Sequence, residues 1–356
     1  MALTQEFFYN KRILVTGDTG FKGRWLVRAL QTLNVEVCGI SLYPPYDRNL
    51  IKLNKYKFLQ DYEKIQMNIL DVDKIDKIFE RFKPEYVFHL AAQSIFNLGL
   101  QNPIETIQAN VIGSVNIAKA ALQHDSVIGL SIATSDKVYE KQSSGISFDE
   151  SSTLGGTDPY SASKVCTDLL SRTLAEHLNF REKPVSTIRA GNVIGGGDWG
   201  KDRLIPDIYE ASELNKKLII RNPGSTRPFQ SILDVIQGYL LIAQSHLSGS
   251  QDKVFETYNI GPTISLSVEQ VLELASLQGL NPKLIVQGQD SFETRRLQIN
   301  SDKIKNLLGW NPLFTASEAV QDSLEWYQRF GFSTEISSFS ISSYLDKIIS
   351  NRNLIK

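Results

Sequence analysis

Cysteine is scarce in this chain, with only Cys38 and Cys166 among 356 residues. Both lie in apolar-patterned segments, so two buried free thiols are expected and a disulfide scaffold is excluded. Long apolar runs are missing as well. The opening "MALTQEFFYNKR" has no apolar signal core, and no later run approaches the ~18 residues of a membrane helix. A soluble, cytoplasmic protein without a membrane partner is expected. An excess of one charge is also absent: 38 basic and 39 acidic residues leave a net charge of −1. That balance gives no footing for nucleic acid or an anionic surface. There is no internal repeat or low-complexity segment, and no metal site is expected.

What is present is a regular alternation of short β-rich runs and helical patterns. "RILVTG" (12–17) reads as a strand, and "GRWLVRALQTL" as the helix after it. "VEVCGIS" (35–41), "EKIQMNIL", "YVFHLAA" (86–92), the run ending at Ala133 and "VSTIRAGNV" (185–193) continue the strand series, with helical patterns between them. Such alternation implies a parallel sheet covered by helices on both faces, with ligands beyond the carboxyl ends of its strands. The expected class is therefore α/β: a Rossmann-type doubly wound sheet with a smaller C-terminal α/β substrate-binding domain. After residue 193 the rhythm changes. "IGGGDWGKDRLIP" and "IIRNPGSTRPFQS" read as loops, and shorter helices follow. The division expected is 1–190 and 191–356, with the chain crossing between the two parts.

The first strand runs into "TGDTGFKGRW", which spaces Gly17, Gly20 and Gly23 as GxxGxxG. Glycines let the backbone turn tightly and approach a pyrophosphate, which the following helix meets with free N–H groups and its positive dipole end. Between the first strand and first helix of such an alternation, the triplet predicts a dinucleotide site. The second strand ends at Ser41 without the acidic residue that usually takes the ribose hydroxyls. Arg48 nearby leaves a 2′-phosphate, and hence NADP, open at this point. Asn68 and Ile69 end the third strand, on the adenine side.

"PYSASK" places Tyr160 and Lys164 four residues apart, on one helix face. A lysine ammonium beside the phenol favours phenolate and is expected to lower the tyrosine pKa. Such a tyrosine can take the proton of a sugar hydroxyl as hydride leaves the same carbon. "ATSDKVYE" (133–140) poses a separate question, because Asp136 and Lys137 follow a buried strand. They are either an ordinary charged turn or part of an active site.

Together, "HLAAQ" (89–93), "ATSDKVYE", "DPYSASK" and "RAGNVIGGGDW" resemble, in order, segments of the extended short-chain dehydrogenase/reductase family. Within it, "GDTGFKG", "SLYPPYD", "GNVIGGGDWGKDRLIPD" and "IIRNPGSTRPFQSILD" are most similar to the CDP-glucose 4,6-dehydratases. The resemblance implies NAD as cofactor, a nucleotide sugar as substrate (CDP-glucose favoured) and a homodimer through the helices around 104–123 and 160–178. It implies oxidation at C4, elimination of water across C5–C6 and return of the hydride to C6. Asp136 would be the acid and Lys137 the base, with Ser135 (or Thr134) aligning the C4 oxygen. Gly17, Thr19, Gly20, Phe21, Lys22, Gly23, Ser41, Asn68, Ile69, Leu90, Ala91 and Ala92 would line the cofactor, beside Tyr160 and Lys164. Gln93, Asn192, Arg203, Leu204, Arg221, Arg227 and Gln230 would meet the substrate, arginines suiting its diphosphate. An epimerase or reductase on the same Tyr–Lys pair would not require Asp136 and Lys137. Neither would a binding protein that lost turnover. His89 reads as a packed strand residue.

The chain also departs from that pattern. Where the CDP-glucose enzymes continue after "HLAAQ" with Arg–x–Ser–Tyr, this sequence has Asn97, Gly99 and Leu100 in those places. "FET" (292–294) replaces His–Glu–Ala, and Asn68 an acidic residue. These changes bear on the substrate, not on the redox residues.

Overall fold

The computed structural model describes residues 2–42, 61–140, 147–178, 181–200, 202–262, 264–287, 298–334, 336 and 338–350. Arg48, "SLYPPYD" beyond Leu42, and the 292–294 segment lie outside the described residues.

Seven strands form one parallel sheet. Five follow the expected alternation: β1 (Arg12–Thr16), β2 (Glu36–Ser41), β3 (Glu63–Gln66), β4 (Tyr86–His89) and β5 (Gly129–Ala133). The sixth, β6 (Val185–Ala190), is buried at every position, as a strand covered on both faces must be. It ends sooner than "VSTIRAGNV" suggests. The chain leaves the sheet at Gly191, and β7 (Val193–Ile194) pairs elsewhere with β10 (Gln230–Ser231). "YVFHLAA" likewise stops at His89, leaving Leu90, Ala91 and Ala92 as its exit.

Helices α1 (Phe21–Thr32), α2 (Val72–Phe82), α3 (Phe96–Gln101), α4 (Pro103–Ile107), α5 (Gly113–Gln123) and α6 (Pro159–His177) connect these strands. Between α4 and α5 the helix continues through a wider π turn, Gln108–Ile112. Caps set the starts: Asp71 accepts the Lys74 N–H at 3.2 Å, and Asp158 that of Ser161 at 2.9 Å, just before Pro159.

The second half adds α7 (Leu204–Glu213), β8 (Lys217–Ile220), β9 (Thr226–Arg227) and α8 (Ile232–Leu247). It continues with β11 (Phe255–Ile260), β12 (Leu266–Ser267), α9 (Val268–Leu277) and β13 (Lys283–Val286), and closes with α10 (Asp302–Leu308), α11 (Ala316–Phe330) and α12 (Ser338–Ser350). Helix α7 begins at Leu204, inside the end of the "IGGGDWGKDRLIP" stretch read from sequence as loop. Strand β11 was not anticipated at all. It pairs with β6 and completes the sheet in the order β11-β6-β5-β4-β1-β2-β3. The order reverses between β1 and β4, which opens a crevice at their carboxyl ends.

One apolar core fills the face under α1 and α8, with Ile13, Val15, Leu26, Leu30, Tyr239 and Ile242 buried in it. α12 joins this layer, and the Tyr344 hydroxyl donates to Asp234 Oδ1 at 2.5 Å. The opposite face packs α2, α5 and α6 through Ile75, Phe79, Ile117, Ala121 and Leu174. A third core, around Trp199, Tyr209, Val320 and Tyr327, belongs to α7, α9 and α11. Cys38 is buried as expected, but Cys166 is exposed, because its position on α6 turns away from the sheet. No helix among the described residues is long and apolar enough to cross a membrane.

Candidate active site

The crevice between β1 and β4 begins with the glycine turn. Gly17 adopts φ +76°, and a Cβ there would lie 2.7 Å from the Ala91 nitrogen, so the β1 and β4 exits touch. A Cβ on Gly23 would strike the Gly17 carbonyl oxygen at 2.0 Å, which fixes glycine at both positions. Gly20 is the N-cap of α1 and offers no capping side chain. Leu90 and Ala91 close this side, where the Ala91 N–H donates to Thr16 Oγ1 at 3.2 Å.

The acidic group that the sequence places nowhere near the end of β2 comes from inside the turn. Asp18 is 1% exposed and lies against Gly39, where a Cβ would meet its Oδ2 at 2.4 Å. Tyr62 donates to Oδ2 at 2.8 Å, while Oδ1 is buried without a partner among the described residues. Burial raises the Asp18 pKa, against hydrogen bonds from Ser41 and Tyr62. The Thr19 hydroxyl donates to Ser41 Oγ at 3.0 Å. The sequence signal was an aspartate within a glycine turn, overlooked because the acid was sought on the strand. Asn68 is exposed, and its Oδ1 takes the Leu70 N–H at 3.0 Å; Ile69 is buried under α5.

At the centre, β5 delivers Thr134 and Ser135. The Thr134 hydroxyl turns to Asp168 Oδ2 at 3.2 Å, away from the crevice. Ser135 hydrogen-bonds Tyr160 and donates to Asp136 Oδ1 at 3.2 Å, which separates the two candidates geometrically. Asp168 is in turn gripped by the Arg189 fork at 2.9 and 2.8 Å. Lys164 is buried and donates to the Ala133 carbonyl at 3.1 Å. Burial, and then the Lys22 charge, bring its ammonium down to about 7. Tyr160 departs from expectation: its pKa is raised, not lowered. Burial, with the charges of Asp136 and Asp158, outweighs the hydrogen bond from Ser135 and the charge of Arg203. His89 sits between Thr16 Oγ1 at 2.7 Å and Ser114 Oγ at 2.8 Å, and burial lowers it to about 3, so it is a neutral structural residue.

Asp136 and Lys137 open the turn after β5, and they are not an ordinary surface pair. Asp136 is 4% exposed, its Oδ2 has no partner among the described residues, and burial raises its pKa against the charges of Lys137, Lys22 and Arg227. Such a carboxyl is poised to carry a proton. Lys137 is open to the cleft, yet the surrounding protein desolvates its amine enough to lower its pKa, with Asp136 and Asp158 opposing. Its Nζ lies 5.9 Å from the Tyr160 ring centre. Lys22, expected beside the cofactor, also feels the far side of the crevice. Burial and Arg203 pull it down to about 8, against Asp136 and Asp198.

Arg203 caps α7 ahead of Leu204, and its Nε is 3.5 Å from Asp198 Oδ2. Arg227 donates to the Thr226 carbonyl at 2.9 Å while its charge reaches Asp136 and Lys137. Two other expected substrate residues, Gln93 and Gln230, turn their amides inward. The Gln93 amide donates to Thr106 Oγ1 at 3.0 Å, and that of Gln230 to the Ile260 carbonyl at 2.8 Å, leaving Gln230 Oε1 without a partner among the described residues. Asn192 accepts the Gln230 N–H at 3.0 Å through its backbone, and Arg221 stands exposed after β8.

Residues 14–323 match the family model described as GDP-mannose 4,6 dehydratase. The chain is 35% identical over 336 residues to a CDP-glucose 4,6-dehydratase of Salmonella typhimurium, covering 92% of this chain and 93% of that enzyme. It is 28% identical over 331 residues to the human dTDP-D-glucose 4,6-dehydratase, covering 90% and 91%. The fold superimposes, with a TM-score of 0.76 at 19% identity, on UDP-glucose 4-epimerase of Thermus thermophilus in complex with NAD, covering 89% of this chain and 99% of that one. A glycine-turn crevice, a buried Tyr–Lys pair and a match over nearly the whole length agree: the chain belongs to the GDP-mannose 4,6 dehydratase family, within the extended short-chain dehydrogenase/reductases.

Proposed function

We propose that the protein is an NAD-dependent nucleotide-sugar 4,6-dehydratase that converts CDP-glucose to CDP-4-keto-6-deoxyglucose. The observation that carries this reading is the Asp136–Lys137 pair at the exit of β5, within reach of Ser135 and Tyr160. Oxidation and reduction alone need only serine, tyrosine and lysine. An additional buried acid and an additional amine suit elimination.

The residues present fit NAD. Gly20 leaves the first N–H groups of α1 without a side-chain cap, as a pyrophosphate requires. The unpartnered Asp18 Oδ1 beside Ser41 suits a ribose hydroxyl and repels a 2′-phosphate, which favours NAD over NADP. When bound, NAD supplies the acceptor for the C4 hydride and returns that hydride to C6. Tyr160, aligned by Ser135, takes the proton of the C4 hydroxyl. The resulting ketone acidifies C5–H. Lys137 removes that proton, and the electron pair stays on the sugar as an enolate. Asp136 donates a proton to the C6 hydroxyl, which departs as water while the enolate pair forms the C5–C6 double bond; once C6 has regained the hydride, the proton held on Lys137 returns to C5. Arg203 and Arg227 face the diphosphate.

We place the NAD-binding part at 1–190, joined by α8 and β11, and the nucleotide-sugar part in the remainder of 191–356. We assign a homodimer to the face of α4, α5 and α6, where Ile104, Ile107, Ile112 and Leu169 are exposed together. The unpaired Cys38 and Cys166 suit a reducing cytoplasm.

The test is incubation of the purified protein with NAD and CDP-glucose, and separately with dTDP-, UDP- and GDP-sugars, read by mass spectrometry. Loss of water from CDP-glucose alone is expected. Loss from another sugar would keep the mechanism and move the nucleotide. No loss from any of them would overturn the reading.

A further inference from the structure

Helix α3 lies across the start of α6 and forms the wall of the cleft facing Lys137. Two contacts fix it there. The Asn97 amide donates to Asp202 Oδ2 at 2.6 Å, tying α3 to the loop before α7. Gly99 is buried against α6, where a Cβ would come within 3.3 Å of the Tyr160 Cβ. A side chain at 99 would require α3 or Tyr160 to give by a few tenths of an ångström. Held this close, α3 brings the Phe96 ring centre to 5.1 Å from Lys137 Nζ, so the amine has Phe96 as one ring neighbour and Tyr160 as another. Phe96 remains 36% exposed, so filling the core does not account for it.

We propose that Phe96 is a positioning residue for Lys137: its ring face holds Nζ beside Tyr160 and stabilises the ammonium that forms when Lys137 takes a proton from the sugar. This rests on the dehydration reading above. In that step the C5–H bond breaks, an N–H bond forms on Nζ, and the pair is left on the sugar. The lysine is therefore most in need of a partner at the end of the transfer. An aromatic face attracts an ammonium and is indifferent to a neutral amine.

The other charges around Lys137 are named by the structure. Asp136 and Asp158 favour the ammonium, while Arg227 and Arg203 oppose it. Tyr160 faces it from α6, and α3 itself, FNLGLQ, carries no titratable group. Changing Phe96 thus alters the ring contact without altering charge. Removing the ring lowers the lysine pKa, so the acid limb of a pH profile governed by the neutral amine moves to lower pH. A contact of this kind is worth about half a pKa unit.

The test compares Phe96→Leu, which keeps apolar bulk and removes the ring face, with Phe96→Trp, which keeps a face. Two readouts are needed. One is the pH dependence of Lys137 acylation by acetic anhydride in the substrate-free protein, followed on its peptide by mass spectrometry. The other is the pH profile of water loss from CDP-glucose. In Phe96→Leu the acylation midpoint falls by about half a unit. The plateau rate of water loss falls about threefold to tenfold with KM unchanged, and Phe96→Trp restores both. An unmoved midpoint in Phe96→Leu, or a rise in KM alone, overturns the proposal. Acylation requires no turnover. A shifted midpoint in a protein that dehydrates no nucleotide sugar would support the ring–lysine contact while removing the dehydratase reading.

Discussion

The two walls of the cleft are built on different terms. On the redox wall nearly every polar group is buried and engaged. Arg189 forks onto Asp168, Asp168 takes the Thr134 hydroxyl, Lys164 donates to Ala133, and His89 bridges Thr16 and Ser114. The opposite wall is made of α3 and the loops before α7 and β9. Phe96 and Arg203 stand open to the cleft there, Lys137 faces them from the turn after β5, and among the described residues one side-chain hydrogen bond, Asn97 to Asp202, ties α3 to its neighbouring loop. Buried networks hold one geometry and are costly to alter, whereas an open wall changes residue by residue at little expense in stability. On the proposed function, substitutions on the α3 side should change substrate choice while leaving C4 oxidation intact.

That contrast can be broken or sharpened by experiment. Tyr160→Phe should have the largest effect, lowering turnover by about 10⁴-fold, the upper end of what a positioned acid–base group contributes. Cofactor binding, measured by titration, should persist; retained turnover would remove Tyr160 from the chemistry. Lys137→Ala should slow water loss about 10²-fold or more while C4 oxidation survives, so stopped-flow absorbance should show reduced cofactor accumulating. Normal product formation would return Lys137 to the role of a surface charge.

The locked wall should also show in acid. Burial holds His89 on that wall at about 3, and likewise His246, which lies at the amino ends of the strands between Tyr86 and Ser186, below the ordinary value of 6.5. The unfolded chain then binds more protons than the folded one between these values. Stability from the two histidines is thus present above pH 6.5 and lost as pH falls below it, by at most about 1.4 kcal/mol per pH unit for each. Urea unfolding at pH 7.5 and pH 5.5 measures this, and equal midpoints would contradict it. The smallest effect is expected from Asp18→Asn, which should weaken NAD about tenfold and narrow its advantage over NADP. Unchanged affinities for both would assign Asp18 to the turn alone.

Much of this was legible in the sequence wherever one short segment carries both the pattern and the chemistry. The glycine turn, the Tyr160–Lys164 spacing and the first six strands are of that kind. Strand β11 was not legible, because "FETYNI" is a short mixed run whose strand state comes from pairing with β6, some seventy residues earlier. Asp18 was missed because its partners, Ser41 and Tyr62, come together only when the sheet forms. The rise in the Tyr160 pKa is likewise a property of burial, which YxxxK spacing does not encode. Phe96 carried no local signal at all, since its meaning lies in where Gly99 and Asn97 allow α3 to rest.

The π turn at Gln108–Ile112 has a consequence for anyone altering this region. It sets Asn110 so that its side chain holds both ends of the Gln93 backbone unit and Ser163, while its carbonyl takes Thr167 and Ser114. A single residue thereby clamps the exit of β4 to the helix bearing Tyr160. Deleting one residue here would restore a regular helix and rotate everything after it by roughly 100°. The length of this helix is therefore as much a determinant of the site as any side chain in it, and aligning or grafting it without the extra residue would misplace the phenol before any chemistry began.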